Sequence, residues 1–171
     1  MQSFDLFSIG HSNIPAERFV AMLRSAGVNA VADVRSTPAS RRSPWFSSKN
    51  LARTLQGEGV LYVPFGETLG GRPRDPAVYR DGIADYEEMA RQPEFRAGLD
   101  RLLTVAKRQR VCLMCAEREP RSIVIAVCWY RVRSRTADAP SAISSKTVLL
   151  SRTRRRNSGY WRAAGATPVS L

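Results

Sequence analysis

At 171 residues, 43% of them apolar, the chain has the size of one domain with an ordinary core, which excludes disorder over its whole length. No run of about 18 apolar residues occurs and the start lacks a signal peptide's basic and apolar stretches, so no membrane association is expected. With only Cys112, Cys115 and Cys128 and no export signal, a reducing cytoplasm is expected rather than a disulfide framework.

The net charge of +12 would suit a polyanionic partner, but it is unevenly spread. Residues 1–120 carry 17 Lys/Arg against 14 Asp/Glu, whereas residues 121–171 carry 10 against 1.

In chain order, "FDLFSIG" reads as a first strand ending at Gly10. Pro15 opens a helix with Phe19, Val20, Leu23 and Ala26 at helical spacing, and Gly27 closes it. "VNAVADV" is apolar nearly throughout, as a parallel strand buried on both faces should be. "STPASRRSPWFSS" is a loop, after which Ser48 caps a helix bearing Leu51 and Leu55 and stopped by Gly57 and Gly59. "VLYVPF" is a third strand, helical patterns are expected around 79–91 and 93–109, and "RVCLMCA" is a fourth strand. Beyond Pro120 the pattern fails: "SIVIAVCWY" suits a strand by composition, and residues 131–171 hold no amphipathic period.

Strands alternating with helices predict an α/β fold. The expected architecture is three-layer, a mainly parallel sheet of about four to five strands with helices on both faces and an irregular C-terminal tail. The division expected is an α/β domain over 1–120 and a basic Arg/Ser-rich tail over 121–171.

Ligands of open parallel sheets bind beyond the carboxyl ends of the strands. Those ends carry Gly10, His11 and Ser12; Asp33 and Arg35; Gly66 and Glu67 with Gly70 and Gly71; and Cys115 and Glu117. His11 is the only histidine, either an acid/base group or a structural ring bonded to a loop carbonyl. Asp33 and Arg35 flank one apolar residue, which suits either an anion clamp or an ion pair. Arg41 and Arg42, with Trp45 and Phe46 close by, read as a phosphate- or base-holding loop or as a solvated loop with one anchoring aromatic. Cys115 is the candidate nucleophile or soft metal ligand, with Glu117 on its own side of the strand, while Cys112 reads as core. No P-loop, GxGxxG, paired CxxC or HExxH occurs, so no cofactor is assigned and a closed zinc site is not expected.

Together, "SIGHSN", "VADVRSTPASRRSPWFS", "GVLYVPFGETLGG", "YRDGIADYEEM", "FRAGLDRLL" and "VCLMCAEREP" resemble the domain of unknown function 488 family over residues 4–120. The resemblance implies a compact, cytosolic, mostly bacterial α/β protein of unsettled activity. Its characteristic polar positions fall on Gly10, His11, Ser12, Asp33, Arg35, Arg41 or Arg42, Gly70, Gly71, Cys115, Ala116 and Glu117.

That family follows its "CAE" strand end with a Cys-His-Arg motif, which is missing here. Arg121 to Val127 can be encoded as CGC TCG ATT GTC ATC GCT GTN, and those bases read from the third position spell Leu-Asp-Cys-His-Arg-Cys. Ala142 to Thr147, encoded as GCC ATA TCC TCG AAG ACG and followed by the GT of Val148, would similarly give His-Ile-Leu-Glu-Asp-Gly. Residues from about 121 onward are therefore expected to be out of frame relative to the ancestral gene.

Three functions follow as expectations. The first is a small enzyme using Cys115 as nucleophile or ligand, His11 as acid/base, Asp33 and Glu117, with Ser12, Arg35, Arg41, Arg42, Gly70 and Gly71 at an anionic small-molecule substrate. The second is a nucleic-acid-binding module using Arg41, Arg42, Trp45 and the tail. The third is a metal-binding protein using Cys and His.

Overall fold

The structure, a computed structural model, describes residues 6–116 and the backbone of Val148 and Leu149. The expected "SIVIAVCWY" strand, most of the basic tail and Glu117 lie outside the described residues.

Strand β1 is Leu6–Gly10, β2 is Ala30–Asp33, β3 is Leu61–Pro64 and β6 is Val111–Cys115, each at an apolar run of the sequence. Helix α1, Ala16–Ser25, follows Pro15, and the chain leaves it through Gly27 at φ +63°, a conformation glycine adopts without penalty. Helix α2 is Ser48–Gly57; α3 is the single turn Gly66–Leu69; α4 is Tyr86–Arg91; and α5 is Pro93–Ala106.

The strand order is β3-β2-β6-β1-β7, with β7 the pair Val148–Leu149, and every described pairing in this sheet is parallel. Crossovers through α1 and α2 carry the chain from β1 to the β3 edge. The crossover through α3, α4 and α5 brings it back to insert β6 between β2 and β1. Right-handed crossovers running in opposite directions place their helices on opposite faces.

Two separate apolar clusters record that result. On the first face Phe7, Ile9, Val31, Cys112 and Met114 meet Phe19 and Leu23 of α1 and Leu51 and Leu55 of α2. On the second face Leu6, Ala30, Ala32, Val111 and Leu113 meet Leu69, Met89, Phe95, Leu99 and Leu102. Alternate residues of the same strands thus feed opposite cores, which gives the three layers expected.

Three local features differ from expectation. Most of 79–85 is not helical: Tyr79–Arg80 (β4) and Ile83–Ala84 (β5) pair antiparallel about Asp81-Gly82, both at positive φ. An Asp-Gly step of that kind fits a tight hairpin, so the helix there begins only at Tyr86, capped by the Asp85 carboxylate on the Glu87 and Glu88 amides. Gly66–Leu69 forms a helical turn, an element the sequence does not suggest. Val148–Leu149, within the expected irregular tail, adds a short fifth strand beside β1.

Candidate site at the carboxyl edge

Insertion of β6 between β1 and β2 brings three strand ends together, with Gly10 opposite Cys115 and Asp33 opposite Met114. The ladder continues past β1, as His11 N–H donates to Cys115 O at 3.0 Å and Ser12 N–H to Ala116 O at 3.2 Å. Ser12 sits at φ +40°, a strained conformation for a non-glycine residue.

The His11 side chain turns to the first face and is buried. Its ring stacks on Phe46 with centroids 4.2 Å apart and an interplanar angle of 27°, and Phe46 in turn meets the edge of Phe19. Nε2 lies 3.2 Å from Arg35 Nη1, and Nδ1 lies 2.9 Å from Ser12 O. A guanidinium only donates, so Nε2 is the acceptor and Nδ1–H donates to the carbonyl. Burial first, and the Arg35 charge second, hold the His11 pKa below its ordinary value. The ring is therefore a neutral imidazole of one tautomer.

Asp33 and Arg35 alternate with Val31 on that same face, and both are buried. Arg35 grips the carboxylate as a fork, Nε to Oδ1 at 2.8 Å and Nη2 to Oδ2 at 2.6 Å, and its backbone N–H reaches Oδ1 at 3.2 Å. Tyr62 donates its hydroxyl to Oδ2 at 2.8 Å. Burial and that bond to Asp33 push the phenol pKa up, so it stays a donor throughout the neutral range. Asp33, Arg35, His11 and Tyr62 form one network in which the single negative and single positive charge balance.

The loop after β2 covers this network. Ser43 and Phe46 are buried, with Phe46 the anchoring aromatic, while Arg41 and Arg42 are exposed. Trp45 keeps 40% of its surface exposed, and its indole N–H donates to Ile14 O at 3.3 Å. On the second face the Gly66–Gly70 segment presses on the backbone of Arg35 and Ser36. A Cβ on Gly66 would collide with Arg35 O, and one on Gly70 with Gly66 O and the Ser36 hydroxyl. Ser36 Oγ also accepts from Arg72 N–H at 2.9 Å. Gly71, by contrast, has open space around it.

Cys115 follows the alternation of Val111 and Leu113, so its half-buried thiol packs against the second-face cluster, across the sheet from His11. Cys112 is fully buried on the first face, where burial pushes its thiol pKa up, and it is core. The structure thus gathers His11, Asp33 and Arg35 with Ser12 adjoining, sets Arg41 and Arg42 on the covering loop, and places Cys115 at the same edge but on the other face.

Tyr62 and Ser36 belong to this edge and are not singled out by the sequence. A tyrosine inside an apolar run asks for a polar partner, and that is the available signal.

A second feature lies on the second face, where Thr68, Gly70, Val78, Met89 and Phe95 line an open cavity of about 350 Å³ with Glu67, Asp75 and Glu94 at its wall. Among the described residues no three His, Cys, Asp or Glu lie close enough to hold a metal ion. No described helix is long and apolar enough to cross a membrane.

These features define a three-layer α/β protein with a buried charge network at the carboxyl edge of its sheet. The chain belongs to the family described as Domain of unknown function DUF488, whose model matches residues 15–125. Comparison with curated proteins and with solved structures returns no match.

Proposed function

We propose that the chain is the body of a small cytoplasmic enzyme acting on an anionic substrate seated over the carboxyl ends of β1, β2 and β6. One observation carries this reading. Asp33 and Arg35, the only fully charged side chains buried among the described residues, meet the only histidine at the edge where α/β sheets take ligands. A buried ion pair is a poor source of stability, so its placement at that edge supports a functional use.

In this reading three of the five guanidinium N–H groups of Arg35 are held by Asp33 and His11, and the other two meet the substrate anion together with Arg41 and Arg42. An anion that draws Nη1 away uncovers the His11 Nε2 lone pair, which makes His11 a base once substrate is bound. Cys115 supplies the nucleophile from the second face, and Glu117, outside the described residues, is the further candidate carboxylate. Gly71 leaves room for substrate beside Ser12, and Gly70 holds the segment against Ser36.

The tail enters the same proposal. Codons that can encode Arg121 onward would spell Leu-Asp-Cys-His-Arg in the alternative frame, and the family match stops at residue 125, so in this reading the frame changes between about Pro120 and that point. The lost motif would complete the site, so the frame-restored protein is expected to be the more active one. DNA sequence across the codons for Arg118 to Tyr130 checks this, and a gene unable to encode that motif refutes it.

The test of the enzyme reading is alkylation of the full chain by iodoacetamide, followed by peptide mass spectrometry. Cys115 is expected to react at least tenfold faster than a small-molecule thiol at pH 7, and inorganic pyrophosphate is expected to slow it. Reaction at the small-molecule rate, unaffected by the anion, contradicts the reading.

A further inference from the structure

We propose that the first face, beside the carboxyl edge, carries a binding surface for single-stranded nucleic acid formed by Arg41, Arg42, Trp45, Lys49 and Arg53. This names a substrate or partner class for the anion-holding side proposed above, and rests on that reading only in its use of Arg41 and Arg42.

The sequence from Val34 to Gly57 holds five cations and no carboxylate. Arg35 is the buried one, held by Asp33. The other four, Arg41, Arg42, Lys49 and Arg53, are exposed and have no carboxylate partner among the described residues. Uncompensated cations in such a stretch attract a polyanion rather than stabilise the fold.

The four cations ride on one hydrogen-bonded unit. Ser48 N–H donates to Pro38 O at 2.9 Å, and Ser47 Oγ and Asn50 Nδ2 both donate to Pro44 O, at 2.7 and 2.9 Å. Lys49 and Arg53 are one turn apart on α2, opposite to the buried Leu51 and Leu55. The surface is therefore preformed, and little ordering is needed on binding.

Trp45 supplies what a plain cationic patch lacks. It is among the few large apolar side chains exposed in the described residues, and its indole is fixed at one end by Ile14 O while its neighbour Phe46 is locked against His11. A rigid, exposed indole among cations is the combination that stacks unpaired bases while guanidinium groups follow the phosphates. A duplex hides its base faces, and a phospholipid or a phosphorylated peptide offers no base to stack, so a single strand is the partner favoured.

The test uses the full chain carrying Trp129→Phe and Trp161→Phe, which leaves Trp45 as the only tryptophan. A 20-residue oligothymidylate is expected to quench Trp45 fluorescence saturably, whereas inorganic polyphosphate of equal charge leaves it unquenched. Replacing Arg41, Arg42, Lys49 and Arg53 by Ala should lower the slope of log affinity on log salt by about 3, at about 0.7 per contact. Replacing Arg74 and Arg80 by Ala should leave that slope unchanged.

Three results would overturn the proposal. Oligothymidylate bound without Trp45 quenching would assign binding to the basic tail alone. Equal quenching by polyphosphate would make the surface a base-blind anion site. A Trp45 blue shift on phosphatidylglycerol vesicles, with no response to oligothymidylate, would make it a membrane surface. The enzyme reading fails or stands separately, because the Cys115 alkylation uses no nucleic acid and reads a different side chain.

Discussion

Between Val34 and Gly57, on the first face, five cations stand with no carboxylate; between Glu58 and Asp100, mostly on the second, nine carboxylates accompany five cations. The two stretches also treat charge differently. On the second face Arg74 faces Glu67 at 3.8 Å, Arg80 meets Asp85 at 2.9 Å and Arg91 meets Glu88 at 2.8 Å, all near the surface. Asp75 and Asp85 also accept from the amides that open their helical turns. Charge there is neutralised locally and serves the fold. In the Val34–Gly57 stretch one ion pair is fully buried and the other four cations keep no carboxylate among the described residues, although Arg24 of α1, on the same face, pairs with Glu58. The contrast is therefore between two stretches: Glu58–Asp100 neutralises its charges locally, and Val34–Gly57 leaves four of its cations without such partners.

The sharpest way to break that contrast is Asp33→Asn, which leaves the Arg35 cation buried without its counter-charge. A loss of about 3–5 kcal/mol is expected in urea unfolding. The matching change on the other face, Glu67→Gln, touches an exposed pair and should alter stability by about 0.5 kcal/mol or less. Equal losses would erase the distinction.

Next in size is Gly66→Ala, whose Cβ would meet the Arg35 carbonyl and force the backbone beneath the network to move. A cost of about 3 kcal/mol, the upper end for overpacking, is expected in the same assay.

Protonation of His11 gives a smaller and pH-dependent effect. Its folded pKa lies below the unfolded value of 6.5, so the unfolded chain takes up the proton first as pH falls. Stability is then undiminished above about pH 6.5 and declines as pH drops below it. His11→Asn should flatten that decline, and because His11 is the only histidine its ring proton resonance reports the pKa without ambiguity. A folded pKa above 6.5 would reverse the sign and remove the assigned acceptor role of Nε2.

The smallest effect is that of Gly71→Ala. With open space and no positive φ there, a change within about 0.5 kcal/mol is expected, against the large cost at Gly66 five residues earlier.

The sequence shows the layers and the polar strand ends because each apolar run stops where an ionisable group begins, as at Gly10–His11 and Val34–Arg35. It does not show on which face Cys115 lies. A strand buried on both sides, such as "VCLMC", has no polar alternation from which to read direction, so Cys115 and His11 look like neighbours in sequence logic. Tyr62 was hidden for a related reason, since its contact with Asp33 depends on the β2–β3 register. The helical reading of 79–91 failed at Asp81-Gly82, where local turn chemistry outweighs the apolar spacing around it. Gly66 stands among the polar strand ends in the sequence, but its close approach to Arg35 O exists only once β2 and α3 are packed.

The most direct test of the functional side is amide chemical-shift mapping of the full chain, titrated first with inorganic pyrophosphate and then with the oligothymidylate. The account predicts perturbations concentrated at Ser12–Ile14, along 35–53 and at Gly71 and Cys115, with the cavity residues Thr68, Met89 and Phe95 unmoved. Shifts centred on that second-face cavity, or none anywhere in 6–116, would contradict it.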